Sequence, residues 1–139
     1  MADPYCLQRF VDAQDRVYPQ VLAELRAGVK ASHWMWFVFP QIVGLGSSPM
    51  ARRYAISGRQ EAAAYAGHAV LGPRLRECTG LVNAVAGRSA HDIFGSPDDI
   101  KFRSSMTLFS RCADDAQPFL DALATYFAGA PDPQTLQRL

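Results

Sequence analysis

Prolines and glycines cut this chain into lengths that suit only brief helices packed on one another. Asp3-Pro4, Ser48-Pro49, Ser96-Pro97 and Asp132-Pro133 each set a capping side chain before a proline, the order that opens an α-helix. Tyr18-Pro19 restarts a helix in the same way. Gly28, Gly67, Gly95 and Gly129 stand where the apolar spacing stops, as helix terminators do. Between these marks the apolar residues recur at helical spacing and nothing offers an obvious sheet partner. The expected fold is all-α: a compact single-domain bundle of several short helices joined by tight turns, spanning residues 1–139.

In chain order, Leu7, Phe10, Val11 and Gln14 form the first apolar face, and Val21, Leu22 and Leu25 the second, with Arg26 in the last turn before Gly28. Ser32 reads as the N-cap of a short, very apolar helix over 33–39 that Pro40 stops; a buried strand is the rival reading. A capping box at Ser57-Gly58-Arg59-Gln60 opens an alanine-rich helix. A helix over 70–85 follows, with Pro73 in its first turn. Ser89-Ala90-His91-Asp92 caps a short one, Ser96-Pro97-Asp98-Asp99 a longer one, and residues 117–127 form the next. His68 and His91 lie at helix boundaries and read as caps or surface groups.

At 139 residues, 49% of them hydrophobic, the chain is large enough to bury a real core. Its net charge of +1 argues against work done mainly through long-range attraction to nucleic acid. Cys6, Cys78 and Cys112 are odd in number and far apart, which fits neither a disulfide framework nor a structural zinc site and points to the cytoplasm. No metal and no cofactor is expected. The longest apolar run, from Trp34 to Phe39, is far below the ~20 residues that span a bilayer, so no membrane association is expected.

Three groups of residues have the chemistry of a site. The turn Gly44-Leu-Gly46-Ser47-Ser48 leads into a helix carrying Arg52 and Arg53, so its N–H groups, hydroxyls and guanidiniums suit a phosphate or carboxylate. His33, Trp34 and Trp36, with Gln41, offer indoles to stack on a flat heterocycle and polar edges to identify it. Lys101, Ser104 and Ser105 share one helical face. A lysine there binds an anion more readily than it activates a mid-helix serine, and a salt bridge to Asp98 is its structural alternative. Arg74, behind Gly72-Pro73, is a further anion ligand. His33 and Lys101 are the candidate catalytic residues, and Glu24 and Tyr54 read as buried polar groups that tie helices together.

The motifs Gln14 with Tyr18, Glu24-Leu-Arg-x-Gly-x-Lys30, Ser32-His-Trp-Met-Trp-Phe-Val-Phe-Pro-Gln41, Gly44-Leu-Gly46, Leu71-Gly-Pro-Arg-Leu75, Ile93-Phe-Gly95 and Lys101-Phe-Arg-Ser-Ser-Met-Thr-Leu-Phe109 stand in order along nearly the whole chain. In these the chain resembles a small helical family of unknown function that automatic labelling often calls "calpastatin". The resemblance implies a compact, mainly helical, cytosolic bacterial protein with no established activity. The label itself finds no support: an inhibitor of that kind is long, repetitive and disordered, whereas this chain is short, apolar and rich in helix caps.

Two functions follow as expectations. One is a site for a nucleotide-like or otherwise phosphorylated small molecule between the indoles and Lys101, with hydrolysis as a conceivable reaction. The other is a protein-interaction module or homodimer whose contact patch is an exposed Trp-Met-Trp-Phe segment. Nucleic-acid binding through Arg52, Arg53 and stacked indoles ranks last, because the net charge is near zero.

Overall fold

The computed structural model describes residues 2–139. Ten helices follow one another among them: α1 (Gln8–Asp15), α2 (Tyr18–Ala27), α3 (Met35–Val38), α4 (Pro49–Arg53), α5 (Arg59–Gly67), α6 (Leu71–Asn83), α7 (Ala90–Phe94), α8 (Asp98–Cys112), α9 (Gln117–Phe127) and α10 (Pro133–Gln137). They form the all-α bundle expected. The only β pairing among the described residues is a single parallel bridge between Ile42 and Ile56, closed by Val43 N–H to Ile56 O and Ile56 N–H to Gln41 O, each 2.8 Å. No described helix is long and apolar enough to cross a membrane.

Helix α8 is the axis, packed against α5, α7, α9 and α10, while α6 packs against α2, α5 and α9. Its Phe102, fully buried, is the hub of an aromatic cluster: ring centres of Phe94, Phe39, Phe127 and Tyr126 lie 4.7, 5.0, 6.2 and 6.4 Å away. This clamps the start of α8 to α7, to the chain leaving α3, and to α9, and so fixes the position of the neighbouring Lys101.

Several caps lie where the sequence puts them. Ser48 Oγ accepts from Ala51 N, Asp132 from Thr135 N, and Ser89 and Asp92 close a reciprocal box. Others differ. Asp3 does accept N–H bonds, from Leu7 and Gln8, but the helix begins only at Gln8, because residues 4–5 form a separate turn. Glu61, not Gln60, receives the N–H and hydroxyl of Ser57, and Arg9 then pairs with that carboxylate at 3.0 Å. The helix expected over 33–39 shrinks to α3, four residues long, and Ser32 does not cap it. Its hydroxyl donates instead to Glu24, a partner eight positions upstream that outcompetes a local cap.

Candidate functional site

The segment 29–34 is held by one carboxylate. Glu24 Oε1 accepts from Ala31 N at 2.7 Å, Ser32 N at 3.0 Å and Trp34 Nε1 at 3.0 Å, and Oε2 accepts from Ser32 Oγ. Burial alone would raise the pKa of this carboxyl. The hydrogen bonds from Ser32, Ala31 and Trp34 more than reverse that and hold it at about 2. Trp34 is thereby committed to the core, 1% exposed, with the Lys30 ammonium 5.0 Å from its ring centre. His33, between these two anchored neighbours, lies outside the helix and points to solvent. Because α3 begins only at Met35, His33 shares no helical face with Trp36 and Phe37.

Trp36 takes the other course. It is half-buried, and Lys101 Nζ lies 5.6 Å from its ring centre, a cation over an indole face. An early indole and the ammonium of α8 therefore do meet across a common hollow. Its inner part, lined by Trp36, Gln41, Gly44, Gly46, Tyr54 and Lys101 among others, encloses about 370 Å³ but is so narrow that little more than water enters. Gln41, Gly46 and Lys101 also line a broader outer groove, of about 530 Å³ including its open side, between the turn at 41–46 and the starts of α8 and α10. Space for a ligand lies in this outer part. Leu45, Pro97 and Ile100 give the lining apolar surface, with Ile100 61% exposed, and Ser104, Asp132 and Gln134 give it polar groups.

The glycine turn belongs to this groove for steric reasons. A Cβ on Gly46 would come 2.7 Å from the Ala51 Cβ, and one on Gly44, whose φ is +98°, would come 2.8 Å from Arg138 Nε. Arg138 Nη2 also donates to Gly44 O at 3.2 Å, tying the turn to the end of the chain. The Gly46→Ala variant is expected to lose ~1–2 kcal/mol of stability, since two backbone-fixed methyl carbons cannot both be accommodated. A thermal melt measures this directly; an unchanged melting temperature would show that the close approach does not constrain the turn.

The remaining candidates divide. Ser104 lines the groove, but its hydroxyl is 3.2 Å from Ile100 O and 2.9 Å from Asp132 Oδ2. Ser105 is fully buried, its hydroxyl without a partner, and lines neither space. Arg74 is spent on Asp15 at 2.8 Å and on the ring of Tyr18. Ser47 and Arg52 are exposed, and Ser48 is used as the cap of α4, which is only five residues long. His33 lines neither space. The Trp-Met-Trp-Phe segment is not an exposed patch, because Trp34, Met35 and Phe37 are all buried. His68 is a cap, its Nδ1 accepting from Val70 N and Leu71 N. All three cysteines are free, and burial pushes the Cys78 thiol up to about 12, which makes it a poor nucleophile.

Three groups of this region escaped the sequence reading. Lys30, its side chain almost wholly buried, meets Asp98 Oδ2 at 2.9 Å, while Lys101 meets Oδ1 of the same carboxylate at 3.7 Å. Lys30 stands beside the tryptophan run, so its place could have been suspected. Asp132 and Gln134 reach the groove from the far end of the chain, and no local pattern announces that.

A family described as a protein of unknown function (DUF1810) matches residues 4–139. The chain is also similar to a solved structure, that of the conserved hypothetical protein Rv1873 from Mycobacterium tuberculosis. The two are 60% identical, with a TM-score of 0.97 over 99% of this chain and 98% of that one. Comparison with curated proteins finds no match. Nothing in these likenesses connects the chain with calpastatin.

Proposed function

The chain belongs to the DUF1810 family of proteins of unknown function, and from that premise we propose that it binds a small nucleotide-like or phosphorylated molecule in the groove between the turn at 41–46 and α8. The observation that carries this reading is the Lys101 ammonium, which lies over the Trp36 ring of the inner hollow and also lines the broader groove. Lys101 is only loosely paired, 3.7 Å from a carboxylate that Lys30 already holds at 2.9 Å. It can turn to an incoming anion without leaving Asp98 alone. Gln41 and Gly46 line the same space, and neither the Gln41 side chain nor the Gly46 N–H bonds to a described residue, so both remain free to read a ligand edge.

Binding is the function this geometry supports; none of the candidate serines, nor His33, stands ready to act on a bound ligand. The hydroxyl of Ser104 is engaged, that of Ser105 is sealed in, and His33 lies outside the groove. The contact-patch alternative loses its main support with the burial of Trp34, Met35 and Phe37.

The test is calorimetric titration of the wild type and Lys101→Met with adenosine 5′-monophosphate, ADP-ribose and ribose 5-phosphate. At least one is expected to bind the wild type and to lose about tenfold or more in the variant, since a charge-assisted contact is typically worth ~1.5–3 kcal/mol. The variant should melt within a few degrees of the wild type, because a partly exposed, long ion pair contributes little to folding. No binding at millimolar concentration, or equal binding by both proteins, would overturn the reading.

A further inference from the structure

The charges of the groove narrow the ligand class, on the footing of the reading just proposed. Among the described residues only two charged ones line it: Lys101 of α8 and Asp132, which leads into α10. Asp132 Oδ2 accepts from Ser104 Oγ, Thr135 N and Thr135 Oγ1, at 2.9, 3.2 and 2.6 Å, and its other oxygen accepts from no described residue. Several of the other charged groups around α8 are already engaged. Lys30 and Lys101 share Asp98, His91 of α7 lies 3.4 Å from Asp99, and Arg103 donates to the carbonyls of Ala130 and Pro131. Among the lining residues an incoming ligand therefore meets one cation, Lys101, and one carboxylate, Asp132; the nearby Arg138 guanidinium donates to Gly44 O.

We infer that the groove takes a molecule with a single negative charge and a hydroxyl or amine donor: a nucleotide carrying a phosphodiester rather than a phosphate monoester. The negative group goes to Lys101, and the donor goes to the open oxygen of Asp132. A monoester carries nearly two negative charges at neutral pH, its second ionisation lying near 6. The extra charge adds attraction to Lys101 and, in the same confined space, repulsion from Asp132 and Asp98. It also costs more to desolvate, since that cost rises with the square of the charge. A diester keeps the single charge at every pH of interest. Leu45, Pro97 and Ile100 give the body of such a ligand an apolar surface to lie on.

The test uses a matched pair, adenosine 5′-monophosphate and its methyl phosphodiester, titrated into the wild-type protein from pH 5.5 to 7.5. The diester is expected to bind roughly fivefold or more tightly at pH 7.5, with the two converging at pH 5.5, where the monoester has lost its second charge. The ratio of affinities is the quantity read, because a change in the protein that affects both ligands equally cancels in it. In Asp132→Asn the ratio should fall towards one; asparagine is itself a good N-cap, so α10 is retained. Equal or tighter binding of the monoester at pH 7.5 overturns the inference, and so does a ratio unmoved in Asp132→Asn. If that variant does not fold, the wild-type pH dependence decides alone, and a flat ratio overturns the inference. Binding of neither ligand is a different result, because it removes the binding reading itself.

Discussion

Replacing Glu24 with alanine is expected to cost ~3–5 kcal/mol and to lower the melting temperature by about 10 °C or more. The carboxylate accepts from Ala31 N, Ser32 N, Ser32 Oγ and Trp34 Nε1, and alanine leaves these donors facing a void. An orphaned buried donor costs ~1–3 kcal/mol, and several are orphaned together. Glutamine is the informative companion. Its amide oxygen keeps the contacts of Oε1, and its amide nitrogen donates to the Ser32 hydroxyl, so the cost should stay near ~1–3 kcal/mol.

The same carboxylate sets an acid limb. Its pKa is lowered on folding from 4.5 to about 2. Its contribution is therefore fully present above pH ~4.5 and is lost as the pH falls from there towards about 2. A shift of that size corresponds to roughly 3 kcal/mol. Denaturant unfolding of the wild type should show stability falling across that window, and Glu24→Gln should flatten the fall. A limb of equal depth in Glu24→Gln would assign the acid sensitivity to other carboxylates. Asp3 and Asp92, both lowered by backbone N–H bonds, are the next to examine.

The second large effect is expected from Phe102→Ala, at ~3–5 kcal/mol, the usual range for a fully buried phenylalanine. Four aromatic rings lie around it, from α7, α9 and the chain leaving α3, so the cavity cannot close by the movement of one neighbour. Phe102→Leu should recover more than half of the loss by filling most of the space. Because Phe102 seats the start of α8, the alanine variant should also weaken ligand binding more than Phe119→Ala does, although both rings are fully buried. Equal effects of the two on affinity would mean that the position of Lys101 does not depend on the aromatic hub.

How far the sequence discloses this molecule depends on how local each determinant is. Ser48, Ser89 with Asp92, and Asp132 cap the helices they precede, because cap and N–H lie within three residues. Ser32 looks equivalent and is not, because Glu24 reaches it from the preceding helix. That one contact shortens α3, leaves His33 in solvent and separates two tryptophans that composition alone makes alike. Trp34 goes to the core under Lys30; Trp36 goes to the groove under Lys101. That Trp36, Gln41, Gly46 and Lys101 suit a ligand was legible from residue chemistry, although not that they line one hollow. Asp132, Gln134 and the Arg138 clamp on Gly44 were not, since contacts across most of the chain leave no periodicity.

The two tryptophans also supply the most direct test of the groove. In an amide-correlation NMR spectrum each indole N–H gives its own signal, assignable by Trp36→Phe. Titration with the adenosine phosphodiester should move the Trp36 indole signal in proportion to saturation and leave that of Trp34, hydrogen-bonded to Glu24, in place. A saturable ligand that leaves Trp36 unmoved, or no saturable response at all, would contradict the account.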